Sequence, residues 1–279
     1  MVIGGGGFVG GSVVAKLTAR QASVLSLSRD DVDLLASNAA QKLAGLLQPG
    51  DAIVAAAAQA PCKGMSMLID NMIITKAILD ALAKTEVSHV INISSDAVYP
   101  DGPLPLNETM SPAPTTFHGV MHLAREIGFT SQAKAPLAIL RLTLAFGAND
   151  PHNGYGPNRF LRQAAGGTNI ILFGEGEERR DHVLIEDVAE LVVRVLAYRS
   201  RGILNIATGK VHSFRGIAEK AIELNENKVS LVSQPRQGPM PHNGYRPFDI
   251  GALRTAFPDF NFTPLFEGMA KIHRTMMSV

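Results

Sequence analysis

Short apolar runs alternate with longer stretches of helical periodicity through the first two-thirds of the chain, the pattern of βαβ units laid on a parallel sheet. Residues 24–27, 52–58, 89–94 and 137–142 are short, apolar and bounded by polar or turn-forming residues, and are expected strands. Residues 13–20, 38–47, 66–84 and 118–132 lie between them with helical spacing and are expected helices. Right-handed crossovers put helices on both faces of such a sheet. The expected fold class is therefore α/β, a doubly wound parallel sheet whose ligands sit beyond the carboxyl ends of the strands. After Gly147 the pattern changes: residues 149–158 are rich in Gly, Pro and Asn and read as a loop, and shorter elements follow. The expected division is a first domain over 1–147 and a smaller C-terminal domain over 148–279, with segments at about 181–207 returning to the first.

Composition narrows the function classes. Lys and Arg number 26 against 25 Asp and Glu, so no basic excess exists to neutralise a nucleic-acid backbone, and nucleic acid is not an expected partner. The single cysteine, Cys62, excludes an intrachain disulfide framework or a cysteine-built zinc site; it is expected to be a small buried thiol and fits a reducing compartment. The longest purely apolar run, residues 52–58, is far short of the roughly 20 residues of a membrane span. No signal-peptide pattern precedes the first motif, so no membrane partner and a cytoplasmic location are expected.

The opening segment adds chemistry. Gly4, Gly7 and Gly10 stand three apart in Gly4-x-x-Gly7-Phe8-Val9-Gly10, where the first strand turns into a helix. Glycines there let backbone approach a pyrophosphate, whose charge meets the helix N-terminus. At the head of a βαβ unit this is dinucleotide binding, which makes the first domain a Rossmann domain and leaves the second mainly to substrate. A glycine run that merely forms a tight turn is the plainer alternative. Only Met1, Val2 and Ile3 precede Gly4, short for a central strand, which suggests a natural chain that begins several residues earlier. About 20 residues past the glycines, an acid ending the second strand holds the NAD ribose, whereas a nearby Arg accommodates the NADP phosphate. Ser28 and Arg29 stand there, favouring NADP over NAD. The alternative is a solvated turn with Arg29 paired to Asp30 or Asp31.

With Ala57-Ala58-Gln59, Asn71, Ser94-Ser95-Asp96-Ala97-Val98-Tyr99 and Arg180-Asp-His-Val-x-Ile-Glu-Asp187-Val-Ala, these glycines resemble the extended short-chain dehydrogenase/reductases. More narrowly, the chain is similar to the NAD(P)-dependent nucleotide-sugar epimerases, 4,6-dehydratases and 4-ketosugar reductases of that superfamily, nearly end to end. The resemblance implies that Asp33 and Leu34 border the adenine, that Ala57 and Ala58 let the cofactor pass close over the sheet, and that Ser95 hydrogen-bonds the sugar carbonyl or carbinol. A strand-end serine that caps a loop is the alternative for Ser95. Asp96 falls on the substrate side, where the dehydratases have an acid, but their following Glu is Ala97 here, which sets the dehydratase reaction aside.

The catalytic helix of the family carries Tyr-x-x-x-Lys. Aligned on Gly119, Leu123 and Glu126, this chain reads His118-Gly-Val-Met-His122-Leu-Ala-Arg-Glu126, so both catalytic residues are replaced by histidine. No tyrosine elsewhere is followed four residues later by lysine. In the family the lysine holds the nicotinamide ribose and lowers the tyrosine pKa, so that the phenol exchanges a proton as hydride moves. Three readings of the pair stay open: His118 as an unorthodox acid/base group with His122 beside it, an inactivated site filled by two histidines, or two ligands of a metal site, for which no third ligand is evident and none is expected.

On the substrate side the resemblance gives Arg180 and Arg236 to the diphosphate of a nucleotide sugar, with Asn158 donating to the same group; each also reads as a surface charge or a cap. Asp187 is expected to cap or brace the helix that follows it. The expected function is an NAD(P)-dependent oxidoreductase or epimerase acting on a nucleoside-diphosphate sugar, of 4-ketosugar reductase or epimerase type. The alternative is a catalytically degenerate relative that binds dinucleotide and nucleotide sugar without orthodox turnover. By the same resemblance, helices 66–84 and 118–132 pair across a two-fold axis into a homodimer, and Met67, Ile69, Met72, Ile73, Ile78 and Leu79 are numerous enough to serve one face the protein needs for itself and a second.

Overall fold

Strands buried on both faces need apolar residues at consecutive positions, and the runs of Ile, Val and Ala meet that need in the computed structural model. It describes residues 1–102 and 105–277; residues 278 and 279, the end of the expected second domain, lie outside the described residues. In chain order the elements are β1 (Val2–Ile3), α1 (Phe8–Ala19), β2 (Ser26–Leu27), α2 (Ala39–Leu46), β3 (Ala52–Ala55), α3 (Met65–Leu82), β4 (His89–Ser95), α4 (Phe117–Gln132), β5 (Leu137–Leu142), β6 (Leu144–Phe146) and α5 (Pro157–Ala165). There follow β7 (Ile170–Phe173), β8 (Arg179–Leu184), α6 (Ile185–Tyr198), β9 (Gly202–Ile206), β10 (Val211–Ser213), α7 (Phe214–Leu224), β11 (Leu231–Gln234), β12 (Tyr245–Arg246), α8 (Gly251–Ala256) and α9 (Leu265–Met277).

The chain forms two compact units: Met1–Pro100, Glu108–Leu142 and Val188–Ile206 make the first, and Asp101–Asn107, Thr143–Asp187 and Ala207–Val279 the second. In the first, the described residues form a six-stranded parallel sheet in the order β2-β1-β3-β4-β5-β9. Helices α2, α3 and α4 pack as one layer. Glu190 of α6 joins Lys16 and Arg20 of α1 at 3.1 and 2.7 Å in another. Ile3, Leu43, Ile53, Ile78 and Phe129 are among the core residues. The expected strand 52–58 ends at Ala55, and Ala56–Ala58 leave the sheet as a loop.

In the second unit β8 is flanked by β10 and β12 and also pairs with β6. This corrects the expectation that the chain returns to the first unit from about residue 181. The pairing keeps β8 in the second unit, and only Val188–Ile206 returns. Asp181, in mid-strand, accepts from Thr208 Oγ1 at 2.8 Å and Gly209 N–H at 2.8 Å, fixing the turn before β10. Phe146, Phe160, Leu172, Phe214 and Met269 belong to this unit's core. Among the described residues no helix is long and apolar enough to cross a membrane.

One buried polar cluster ties the first unit together. Glu126 of α4 takes two hydrogen bonds from Arg141 of β5, at 2.9 and 2.6 Å, and one from Ser94 of β4 at 2.5 Å. The Arg141 guanidinium also lies 4.7 Å over the ring of Tyr99, whose hydroxyl donates to Asn205 of β9. Both charges of the Glu126–Arg141 pair are almost fully withdrawn from water, so removing one partner strands the other. Glu126→Ala is expected to lower unfolding stability in urea by about 3–5 kcal/mol, and the double change Glu126→Leu/Arg141→Met by much less.

Candidate cofactor and active site

Beyond the carboxyl ends of β1, β2 and β3 lies a cavity of about 500 Å³, a size that suits a cofactor. Of the residues given to the cofactor by the sequence, Gly4, Gly7, Ser28, Arg29, Asp33, Leu34, Ala57 and Ala58 all line it. Phe8, Val9 and Gly10 do not; they open α1 behind the glycine turn. The turn explains the glycines. Gly4 has φ +88°, and a Cβ on it would stand 2.6 Å from Ala57 N; a Cβ on Gly10 would stand 2.1 Å from Gly4 O. Helix α1 begins with no side-chain cap and no acid in its first turn, so its N–H groups and dipole are open to an anion. Cradle, uncapped helix and cavity fit a dinucleotide.

At the end of β2 the structure changes two details. Ser28 donates through its hydroxyl, and its own N–H, to Asp31 Oδ2 at 2.7 and 2.8 Å, so this acid is turned into the loop. Arg29 pairs with Asp33 at 3.7 Å, rather than with Asp30 or Asp31, and its side chain stays 74% exposed.

The loop leaving β3 meets α3 and α4. Asn71 of α3 holds the Gln59 backbone from both sides, accepting its N–H at 2.8 Å and donating to its carbonyl at 2.9 Å. Cys62, buried as expected, donates its backbone N–H to Nδ1 of His118 at 3.3 Å. An amide N–H only donates, so Nδ1 accepts and the neutral ring carries its proton on Nε2. His122 lies one turn on, its ring edge-on to His118 with centroids 4.7 Å apart. It is buried, its Nδ1 makes no hydrogen bond, and burial first, then His118 and Arg125, hold its pKa well below the usual histidine range. His122 is neutral at pH 7.

Ser95 ends β4. Its Oγ accepts from Ala97 N–H at 3.2 Å and lies 3.3 Å from Asp96 Oδ1, the geometry of a loop cap. A Cβ on Gly119 would stand 2.1 Å from Ala97 O, so this glycine lets the start of α4, with His118, lie against the turn carrying Ser95 and Asp96. First-unit candidates Ser95, Asp96, His118 and His122 are thus on abutting segments.

In the second unit, Asn158 is engaged at both ends of its amide, donating to Asp150 at 2.6 Å and accepting from Gly147 N–H at 3.2 Å. Arg180 and Arg236 converge on one carboxylate. Arg180 pairs closely with Glu178, and Arg236 Nη1 lies 3.2 Å from the other Glu178 oxygen. Asp187, in the first turn of α6, accepts from Thr263 N–H at 2.7 Å and Thr263 Oγ1 at 3.1 Å, anchoring a distant loop.

Residues 1–207 match the NAD-dependent epimerase/dehydratase family. The chain belongs to that family. Over 100% of its length it is similar to UDP-N-acetylglucosamine 4-epimerase from Bacillus cereus, at 26% identity with 96% of that chain covered and a TM-score of 0.85. UDP-glucose 4-epimerase from Thermus thermophilus, in complex with NAD, matches at 21% identity, 100% and 98% coverage and a TM-score of 0.85. UDP-N-acetylglucosamine 4-epimerase from Methanobrevibacter ruminantium, in complex with UDP-N-acetylmuramic acid, matches at 19% identity, 99% and 97% coverage and a TM-score of 0.84. The last two likenesses are likenesses of fold.

Within this epimerase/dehydratase chain the structure adds residues that the sequence reading passed over. Arg125 is fully buried, and its guanidinium reaches Ala57 O at 3.0 Å, Thr75 Oγ1 at 3.3 Å, Asn92 Oδ1 at 3.3 Å and Ala55 O at 3.4 Å. Each of these acceptors is neutral, and burial pulls its pKa down to about 10. Positions 118, 122, 125 and 126 recur at i, i+4, i+7 and i+8, which places Arg125 on the face of the two histidines. His182 of β8 is buried with neither ring nitrogen hydrogen-bonded, and burial pulls its pKa down to about 3. Between that value and the reference near 6.5, the unfolded chain binds a proton that the folded chain refuses, so stability falls as pH falls. Asp181, pushed up to about 6 by burial, works in the opposite direction below that pH. Between pH 6.5 and 5, His182→Phe is expected to remove about 1.5 kcal/mol of the acid-induced loss in unfolding stability, measured by urea titration at the two pH values.

Proposed function

We propose that this protein binds a nicotinamide dinucleotide, NADP(H) in preference to NAD(H), together with a nucleoside-diphosphate sugar, and acts as a 4-ketosugar reductase or epimerase through His118. The observation that carries the reading is the glycine-floored cavity at the uncapped N-terminus of α1. When bound there, the dinucleotide supplies or accepts the hydride. The NADP preference rests on Arg29, which lines the cavity and is restrained only by an exposed ion pair of little strength, while Asp31 is turned away to Ser28. The sugar-nucleotide assignment is supported by the convergence of Arg180 and Arg236 and by the UDP sugar named for the Bacillus cereus relative. At His118, Nε2–H is the proton-bearing atom to present to a sugar oxygen, with the Ser95 hydroxyl on the adjoining turn.

A second reading has its own observation. With Nδ1 of His118 held by Cys62 N–H and His122 buried and neutral, protonating His118 breaks an existing hydrogen bond, and no cation stands at 122 to replace the lysine. The protein is then a binder of dinucleotide and sugar nucleotide without orthodox turnover. Incubating it with NADPH and a panel of 4-ketosugar nucleotides separates the two. The enzyme reading expects a reduced sugar product, with His118→Phe slowing its formation by about 10²- to 10⁴-fold. NADPH binding with no turnover of any member establishes the second reading, and calorimetry showing equal or tighter NADH binding removes the NADP preference.

The apolar residues of α3 divide between two faces. Ile78 and Leu79 are buried in the first unit, whereas Met65, Ile69 and Ile73 form an exposed stripe at i, i+4 and i+8 on α3, and Phe117, Val120 and Ile127 are exposed on α4. These apolar faces are proposed to meet across a two-fold axis. Light scattering at micromolar concentration is expected to give a dimer, and Ile69→Asp/Ile73→Asp a monomer.

A further inference from the structure

The arginine pair of the second unit already holds an anion of its own. Glu178, just before β8, is 5% exposed and gives one carboxylate oxygen to Arg180 and the other to Arg236. Both arginines also donate to backbone: Arg180 Nη2 to Pro241 O at 2.7 Å and Arg236 Nη2 to Phe173 O at 3.3 Å. Nε of Arg236 is buried and makes no hydrogen bond, so this guanidinium retains capacity for a further acceptor. A guanidinium binds carboxylate and phosphate oxygens through the same planar fork, which makes the two ligands alternatives at one site. The three side chains sum to one positive charge. A diphosphate bridge, with about two negative charges, meets less than the attraction that two arginines alone would offer.

We propose that Glu178 is a specificity-determining residue: it occupies the Arg180–Arg236 pair from within, so a nucleoside diphosphate gains these arginines only by displacing a carboxylate. The inference rests on the nucleotide-sugar reading above. Its consequence is a site that binds the diphosphate more weakly than its arginines alone would, and less selectively over ligands of lower charge.

The test is calorimetric titration of the whole protein and of Glu178→Gln with UDP and with UDP-glucose. The amide keeps the shape of the side chain and removes the charge. The variant is expected to bind both probes about tenfold to a hundredfold more tightly, the scale of one charged hydrogen bond, with a steeper loss of affinity as salt rises. NADPH affinity is expected to stay the same, because the cofactor cavity is lined wholly by the first unit. Should Glu178→Gln not fold, Glu178→Asp, one methylene too short to span both guanidinium groups, is expected to give a smaller gain. Parent-like or weaker binding in a folded variant of a parent that binds overturns the inference and leaves the nucleotide-sugar reading standing. Binding by the variant alone supports both, and binding of neither probe by either protein overturns the reading itself.

Discussion

The loop that leaves β3 is the piece on which the first unit's chemistry depends, and it is held by a backbone contact that no side chain could enter. Gly4 lies so close to Ala57 that a single methyl group would collide with the backbone nitrogen. Everything else attached to this loop presupposes that contact. Asn71 clamps Gln59 from α3, Arg125 reaches up from α4 to the carbonyls of Ala55 and Ala57, and Cys62 donates to His118. One short segment thus forms a wall of the cofactor cavity and fixes the tautomer of the histidine nearest the expected chemistry. Substitution at Gly4 would loosen both together.

Buried charge is balanced in three different ways. Arg141 is matched by Glu126 through two hydrogen bonds, an arrangement in which mutual attraction offsets a desolvation cost of several kcal/mol per ion. Arg180 and Arg236 share Glu178, which leaves one net charge and an unsatisfied Nε. Arg125 has four neutral oxygens. Such oxygens return only part of the lost hydration, which is why its pKa falls whereas that of Arg141 rises. Arg141 meets a whole carboxylate of its own, although its Nη1 is left without a hydrogen bond, whereas Arg180 and Arg236 divide one carboxylate between them.

The sheet and the cofactor cavity were legible in the residues because both rest on local rules. Consecutive apolar residues make a doubly covered strand, and glycines three apart make a turn that only glycine can adopt. The placement of β8 was not legible, since Arg179–Leu184 is as apolar at its end as a strand of the main sheet, and only pairing with β6, β10 and β12 assigns it. Which of the apolar residues of α3 face the core, as Ile78 and Leu79 do, and which stay exposed, as Ile69 and Ile73 do, was not legible for a similar reason: a helix apolar on most sides gives no periodicity to tell its two faces apart. Arg125 and Glu178 escaped because a charged side chain is read as solvent-facing unless its partner is visible. Those partners lie 33 to 70 residues away for Asn92, Thr75, Ala57 and Ala55, and 58 away for Arg236 (236 minus 178).

The two histidines are best understood together with Arg125. The resemblance places a cation at position 122, facing the cofactor; the helix still carries a cation on that face, but one turn further on, sealed among the carbonyls of Ala55 and Ala57 and the side chains of Thr75 and Asn92. From there Arg125 cannot touch a ribose, yet its field reaches His122 and adds to the burial that keeps that ring neutral. A protonated His118 would then face a neighbour unable to share or relay its charge, and would have to surrender the Cys62 N–H in the same step. The neutral ring, by contrast, keeps the Cys62 hydrogen bond and carries its proton on Nε2. A second proton on the His118 ring is therefore what the Cys62 N–H and the neutral His122 both oppose, and the neutral ring protonated on Nε2 is the state that these contacts hold.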